Sequence, residues 1–261
     1  MTNVEITILG FTIIFAATTL GAATVFLFKK QLSPKLNTLI LGFAAGVMIA
    51  ASIWSLLLPS IDQSSDWGKW AFVPALVGFL VGGLFMVFID KVVPHIHASG
   101  EAEGPKSNFT KTTKLFMAVT IHNIPEGLAV GFAFGGALAD NTTAAFMGAL
   151  GLAIGMSIQN FPEGAAIALP MQNVTGSKWK SFLLGSASGI VEPIFAVIGY
   201  FLASSLTVAQ PWFLAFAAGL MIFVVAEDLI PDAHIEENSH LGTWGVMLGF
   251  ALMMVLEVAL G

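Results

Sequence analysis

The chain has 261 residues, 56% of them hydrophobic and only 10% charged, with a formal net charge of -6 and a mean hydropathy of +0.87. Soluble domains carry roughly 25% charged residues, so this composition excludes a cytosolic enzyme and a disordered regulator. All 10 basic residues are lysines, which excludes a nucleic-acid binder, and the absence of cysteine excludes disulfides and Cys-ligated zinc or iron–sulfur centres.

What remains is an integral membrane protein, and its charges parse it. A spanning helix needs about 20 mostly apolar residues. Charge-free gaps between Glu5 and Lys29, Lys35 and Asp62, and Lys69 and Asp90 predict helices over 6–28, 36–60 and 70–89. The first run is too long for a signal-peptide core and no basic segment precedes it, so it reads as a retained span. The stretch 91–114 is polar, holds Pro94, Pro105 and four lysines, and reads as the one substantial loop. The apolar runs 115–139 and 143–170 follow, interrupted only by His122, Glu126 and Glu163. From Lys180 to Ala226 the one charge is Glu192, and Gln210-Pro211 divides this length into spans over 181–205 and 211–231. A last span covers 241–260. The expectation is an all-α integral membrane protein, one transmembrane domain over 1–261 with eight spans. Strands of a β-barrel would alternate polarity at every residue, and these runs do not.

Lysine placement orients the chain. With eight spans, nine lysines fall in the loops between odd and even helices and only Lys69 on the opposite side. The lysine-rich loops are therefore cytoplasmic and both termini extracytoplasmic, at the plasma membrane. Trp67, Trp70, Trp179, Trp212 and Trp244 lie near predicted helix ends, as an interfacial belt requires.

A charge at the bilayer centre costs about 2.5–3.5 kcal/mol even on the lenient insertion scale, and here such residues are concentrated. The fourth span reads Ile121-His122-Asn123-Ile124-Pro125-Glu126-Gly127 and the fifth Ile158-Gln159-Asn160-Phe161-Pro162-Glu163-Gly164. The two share I-[HQ]-N-x-P-E-G, too specific for chance. At about 100° per residue, with His122 at 0°, Asn123 lies near 100° and Glu126 near 40°, between them. Glu163 stands in the same way between Gln159 and Asn160. Each proline frees the carbonyl four residues back, of Ile121 or Ile158, and bends its helix around the polar groups. Gly127, Gly131 and Gly135 extend a small face suited to close packing. Counted at 1.5 Å per residue, Glu126, Glu163 and Glu192 sit roughly 20, 10 and 18 Å from the cytoplasmic ends of their helices.

Three such carboxylates cannot all ionise side by side without positive charge, and the spans offer no lysine. Either they are protonated or a cation lies among them. Imidazole nitrogen with carboxylate and amide oxygens suits a first-row divalent ion such as Zn²⁺, Fe²⁺ or Mn²⁺. Packing the two motifs face to face would make two compartments, one lined by His122 and Gln159, the other by Asn123 and Asn160 with Glu192. Glu126 and Glu163 would bridge them, so the expectation is a binuclear site.

The paired motifs and the eight-span layout resemble the ZIP (Zrt-, Irt-like) metal transporters of bacterial type. The resemblance implies uptake of divalent metal, chiefly zinc, by a homodimer, with helices one to three and six to eight related by an inverted repeat around helices four and five. It carries metal ligation onto His122, Asn123, Glu126, Gln159, Asn160, Glu163 and Glu192. Many members have histidine where Gln159 stands, so the site is richer in oxygen and leaves room for iron, manganese, cobalt or cadmium.

Other features are weaker. Glu227, Asp228 and His234 at the cytoplasmic end of the seventh span read as an exit path. His95-x-His97 with Glu101 and Glu103 reads as plain loop, Ser52 and Ser55 as pore-lining or back-bonded hydroxyls, and Glu257 as facing water. An intramembrane metalloprotease is disfavoured because H-E-x-x-H is absent, so no enzyme activity and no cofactor beyond the transported ion are expected. A proton-coupled carrier of another solute is the competing reading.

Overall fold

A computed structural model describes residues 1–27, 33–96, 102–233 and 240–260. The chain is an all-α integral membrane protein. Its long helices are α1 (Asn3–Leu27), α2 (Pro34–Asp62), α3 (Phe72–Val92), α4 (Lys111–Asp140), α5 (Thr143–Thr175), α6 (Lys178–Ser205), α7 (Thr207–Asp232) and α8 (Leu241–Leu260). Seven of these are long and apolar enough to cross a membrane; α4, which carries His122, Asn123 and Glu126, is the one outside that set. The only described strands, β1 (His95–Ile96) and β2 (Ala102–Glu103), form a small antiparallel hairpin after α3.

Local chemistry sets the helix ends. The Thr110 and Thr142 hydroxyls each accept from a backbone N–H three residues on, at 3.2 Å, and so start α4 and α5. Asn141 closes α4 in the left-handed region, φ 50°, where an amide side chain is tolerated better than most. Thr142 caps α5 immediately afterwards, so the two motif helices turn tightly into antiparallel neighbours.

Packing divides the helices into pairs: α1 with α5, α4 with α6, α2 with α8 and α3 with α7. Backbones meet directly within each pair. A Cβ on Gly164 would collide with the Thr18 carbonyl, one on Gly127 with the Glu192 carbonyl, and one on Gly42 with the Gly242 carbonyl. Contacts from α5 to α8 and from α4 to α7 are different in kind. There Gly155 faces the Met253 side chain and Gly136 the Gln210 side chain. Backbone contact thus holds four pairs, and side chains join one pair to another, as where Gly10 faces the Phe134 ring and Gly189 the Thr18 side chain. Gly164→Leu is accordingly expected to force α1 from α5 and lower the melting temperature by at least about 5 °C. Gly83→Leu, with only a Phe223 ring atom at 3.8 Å, is expected to leave it unchanged. Thermal unfolding in detergent, followed by size-exclusion chromatography, checks both.

Three irregularities were not foreseen from sequence. The span expected over 181–205 is broken at Gly189–Ile190, so Glu192 stands in the first turn of the segment Val191–Ser205 rather than deep within a continuous helix. Gly189 is required there because a Cβ would strike the Thr18 side chain. Helices α2 and α7 each contain a π turn, Ser52–Leu57 and Val225–Leu229. Both turns run into similar sequences, Leu57-Leu58-Pro59 and Leu229-Ile230-Pro231, and proline withholds the N–H that regular helix bonding would use.

Candidate metal site

The two motif helices face each other and α6. On α4, His122 and Glu126 are one turn apart and line a cavity of about 450 Å³, with Gln159 and Glu163 of α5 on the opposite wall. This cavity opens at the end of the bundle that carries the hairpin, where Ile96, Pro170 and Asp232 line it. Asn123 and Asn160 turn the other way, toward Glu192 of α6. The Asn123 Nδ2 donates to Glu192 Oε1 at 3.2 Å and to the Ser188 carbonyl at 3.1 Å. The Asn160 Nδ2 donates to Glu192 Oε2 at 2.8 Å. The break at Gly189 is what brings the Ser188 carbonyl and Glu192 together on this face.

Gln159 links the two halves. Its Nε2 donates to Glu126 Oε1 at 2.6 Å and to Asn160 Oδ1 at 3.2 Å. The seven candidate ligands therefore divide between an open compartment and a closed one. His122, Glu126, Gln159 and Glu163 border the open cavity, while Asn123, Asn160 and Glu192 form a hydrogen-bonded cluster, each 0% exposed. Among the described residues no three His, Asp or Glu side chains converge as a ready cage, because amide groups stand between the carboxylates. Two buried acceptors, Asn123 Oδ1 and Glu126 Oε2, have no hydrogen-bond partner among the described residues. An acceptor buried without a donor is costly, and a cation satisfies such an oxygen as well as an N–H does.

One residue at this site escaped the sequence reading. Thr18 of α1 is fully buried, and its hydroxyl donates to Glu192 Oε1 at 2.8 Å. The signal available was a polar residue midway along an apolar run, which by itself resembles any back-bonded threonine. Asp228, expected on an exit path at the end of its span, stands on the π turn with its Oδ2 3.1 Å from His122 Nε2, on the wall of the open cavity. Glu227 lies outside that cavity, exposed beside Asp90 and Lys91. His234 and His97 fall outside the described residues. His95 is buried, with its Nδ1 2.8 Å from the Val93 carbonyl and its Nε2 3.7 Å from Asp90 Oδ1. Ser52 back-bonds to the Met48 carbonyl at 2.7 Å.

Comparison with known proteins agrees with this geometry. Residues 110–257, which span both motifs and Glu192, match the family described as ZIP Zinc transporter. The chain belongs to the ZIP family. This ZIP chain is 36% identical to zinc transporter ZIP11 of Homo sapiens, with 97% of each chain covered. It is 36% identical to zinc transporter ZIPB of Bordetella bronchiseptica, over 99% of this chain and 82% of the relative. Zinc transporter ZupT of Chlorobaculum parvum is 33% identical, over 92% of this chain and 91% of the relative. The family is one of transporters.

Removing the Thr18 hydroxyl tests how far Glu192 depends on it. Thr18→Val keeps the shape and deletes one donor to a buried carboxylate, a loss of about 1.5–3 kcal/mol where the acceptor is charged. Metal affinity at the closed compartment is expected to fall roughly tenfold or more, and Thr18→Ser to recover it. Isothermal titration with zinc reads both.

Proposed function

We propose that this protein carries divalent metal ions, zinc foremost, across the plasma membrane into the cytoplasm. The observation that carries the reading is the open cavity. His122, Glu126, Gln159 and Glu163 stand at one end of it, Asp228 beside them, and no lysine or arginine lines it. A site rich in carboxylates and lacking cationic side chains attracts cations. The named zinc transporters among its relatives point to zinc, whereas Gln159 in place of a second imidazole leaves iron, manganese, cobalt and cadmium as lesser substrates. The seven motif residues would be the ligands, with Asp228 next in line toward the cavity mouth. No catalytic group for an enzyme stands out, and the ion is cargo.

The lysine distribution supports placing the hairpin end, with its open cavity, in the cytoplasm and both termini outside. Helices one to three and six to eight form the expected inverted repeat in this reading, which the matched π turns and prolines of α2 and α7 support. Eight spans in one domain and a homodimer complete it.

Radiolabelled zinc uptake into proteoliposomes, with competing divalent ions, tests the substrate. Impermeant thiol labelling tests the orientation: in this cysteine-free chain, Thr2→Cys should react in intact cells and Ser107→Cys should not. The pH dependence has a definite sign. Imidazole and carboxylates bind metal only when deprotonated, so uptake is expected to weaken as external pH falls toward about 5. Uptake that rises steadily with acidification would favour proton symport and sink this part of the reading.

A further inference from the structure

Where Gln159 links the open and closed compartments, three acceptors converge on one amide nitrogen. Gln159 Nε2 lies 2.6 Å from Glu126 Oε1, 3.2 Å from Asn160 Oδ1 and 3.6 Å from Met156 Sδ. We infer that Met156 is a further metal ligand, and that its thioether makes the site favour soft, thiophilic divalent ions such as cadmium over hard ones such as manganese. The inference rests on the motif residues holding metal. It adds a sulfur ligand to them and a preference among ions that their oxygens do not set.

Helical spacing puts the sulfur there. Met156 stands three residues before Gln159 and four before Asn160 on α5, so the three share a stretch of one helix surface. Met156 is fully buried and is not among the residues that line the open cavity, whereas Gln159 is. Methionine often does no more than fill an irregular gap, as Met253 does against Gly155. Met156 differs in what it touches, because its sulfur accepts from an N–H in the middle of the ligand set.

The amide nitrogen has two hydrogens for three acceptors, so this junction holds more lone pairs than Gln159 satisfies. The second oxygen of Glu126 is also buried, with no donor among the described residues. Several acceptors around one point, with a carboxylate among them, suit a cation better than a neutral amide. An ion that displaces the Gln159 nitrogen would meet the Glu126 and Asn160 oxygens and the Met156 sulfur together. The sulfur must move inward from 3.6 Å to bond the ion, and an unbranched side chain with three rotatable bonds can do so without shifting its helix. Thioether sulfur is neutral and polarisable. It bonds a soft ion well, adds little to a hard one and leaves the charge of the site unchanged.

The chain has no cysteine, so any sulfur bound to metal comes from methionine. Met48 and Met171 line the open cavity, and the test therefore starts from the Met48→Leu, Met171→Leu variant, in which volume is nearly conserved. Loaded with one equivalent of cadmium in thiol-free detergent, this variant is expected to show a sulfur neighbour in cadmium X-ray absorption. Adding Met156→Leu should remove that neighbour, and adding Met253→Leu instead should keep it. In the otherwise native chain, Met156→Leu should lower the ratio of cadmium to manganese affinity, measured by calorimetry, roughly tenfold, the low end of what a lost supporting contact costs at a metal site. A loss of packing alone would weaken both ions alike and leave the ratio where it was. A shell of oxygen and nitrogen only in the starting variant, a sulfur neighbour that survives Met156→Leu, or an unchanged ratio would each overturn the inference. A failure of zinc uptake by the native chain would count against the transport reading and leave the sulfur neighbour standing, whereas normal uptake with no sulfur neighbour would sink this inference alone.

Discussion

Proteoliposomes carrying Glu126→Ala are expected to accumulate zinc no faster than protein-free vesicles. Glu126 occupies the junction of the site: one oxygen accepts from the Gln159 amide at 2.6 Å, and the other is buried with no donor among the described residues. Truncation removes the negative charge and leaves the Gln159 N–H directed into the space that the cation would occupy. Substitutions at partners outside the ligand shell already cost about tenfold to a hundredfold in affinity or activity. A ligand placed between both compartments should cost at least about a hundredfold. Glu163→Ala is expected to be as severe, since Glu163 supplies the carboxylate of the α5 wall, opposite Glu126. Gln159→Ala should only reduce uptake, because an uncharged amide is lost and Glu126 is freed of a donor. Wild-type uptake by Glu126→Ala would remove the site assignment altogether.

Two metal peaks are expected in anomalous scattering from crystals soaked in zinc or cadmium. The first would lie among His122, Glu126, Gln159 and Glu163 in the open cavity, the second among Asn123, Asn160 and Glu192. Paired ions sharing carboxylates typically lie about 3.5–4 Å apart. Three carboxylates nearly balance the charge of two divalent ions, which a single ion would not require. The structure adds a condition on the second ion. Both Asn123 and Asn160 present N–H groups to Glu192, so an ion bound to the Glu192 carboxylate has to displace those hydrogen bonds. Glu192→Ala is therefore expected to remove the second peak and keep the first, and His122→Ala to do the reverse. A single peak in the wild type at saturating metal, or loss of both in Glu192→Ala, would show that the compartments are not separate sites.

Much of the site was legible because its signals are local. Residues four apart share a helix face, so the 40° offset between His122 and Glu126 already implied a common wall, and Asn123 a different one. The repeat of the motif on α5 implied a matching surface. Glu192 stood out because a charge within an apolar run has to be accounted for. The break beside it was not foreseen, although Gly189 and Pro193 bracket it. Each residue alone is tolerated in a membrane helix, and only the approach of Thr18 makes a glycine necessary at 189.

By itself the sequence determined that the chain lies in a membrane, where its charges permit loops, and which side chains share each face of the motif helices. Those properties follow from composition and from the helical period, which act over a few residues. Only the tertiary structure decided which faces meet. Thr18 and Glu192 lie 174 positions apart and Ser55 and Glu257 lie 202 apart, and no local pattern relates them. The π turn that brings Asp228 to His122, and the amides that close the second compartment around Glu192, depend likewise on how the helices pack. Close packing through glycine backbones makes those meetings specific, because a Cβ at Gly127 or Gly164 would move the partner helix and separate the groups that the site requires.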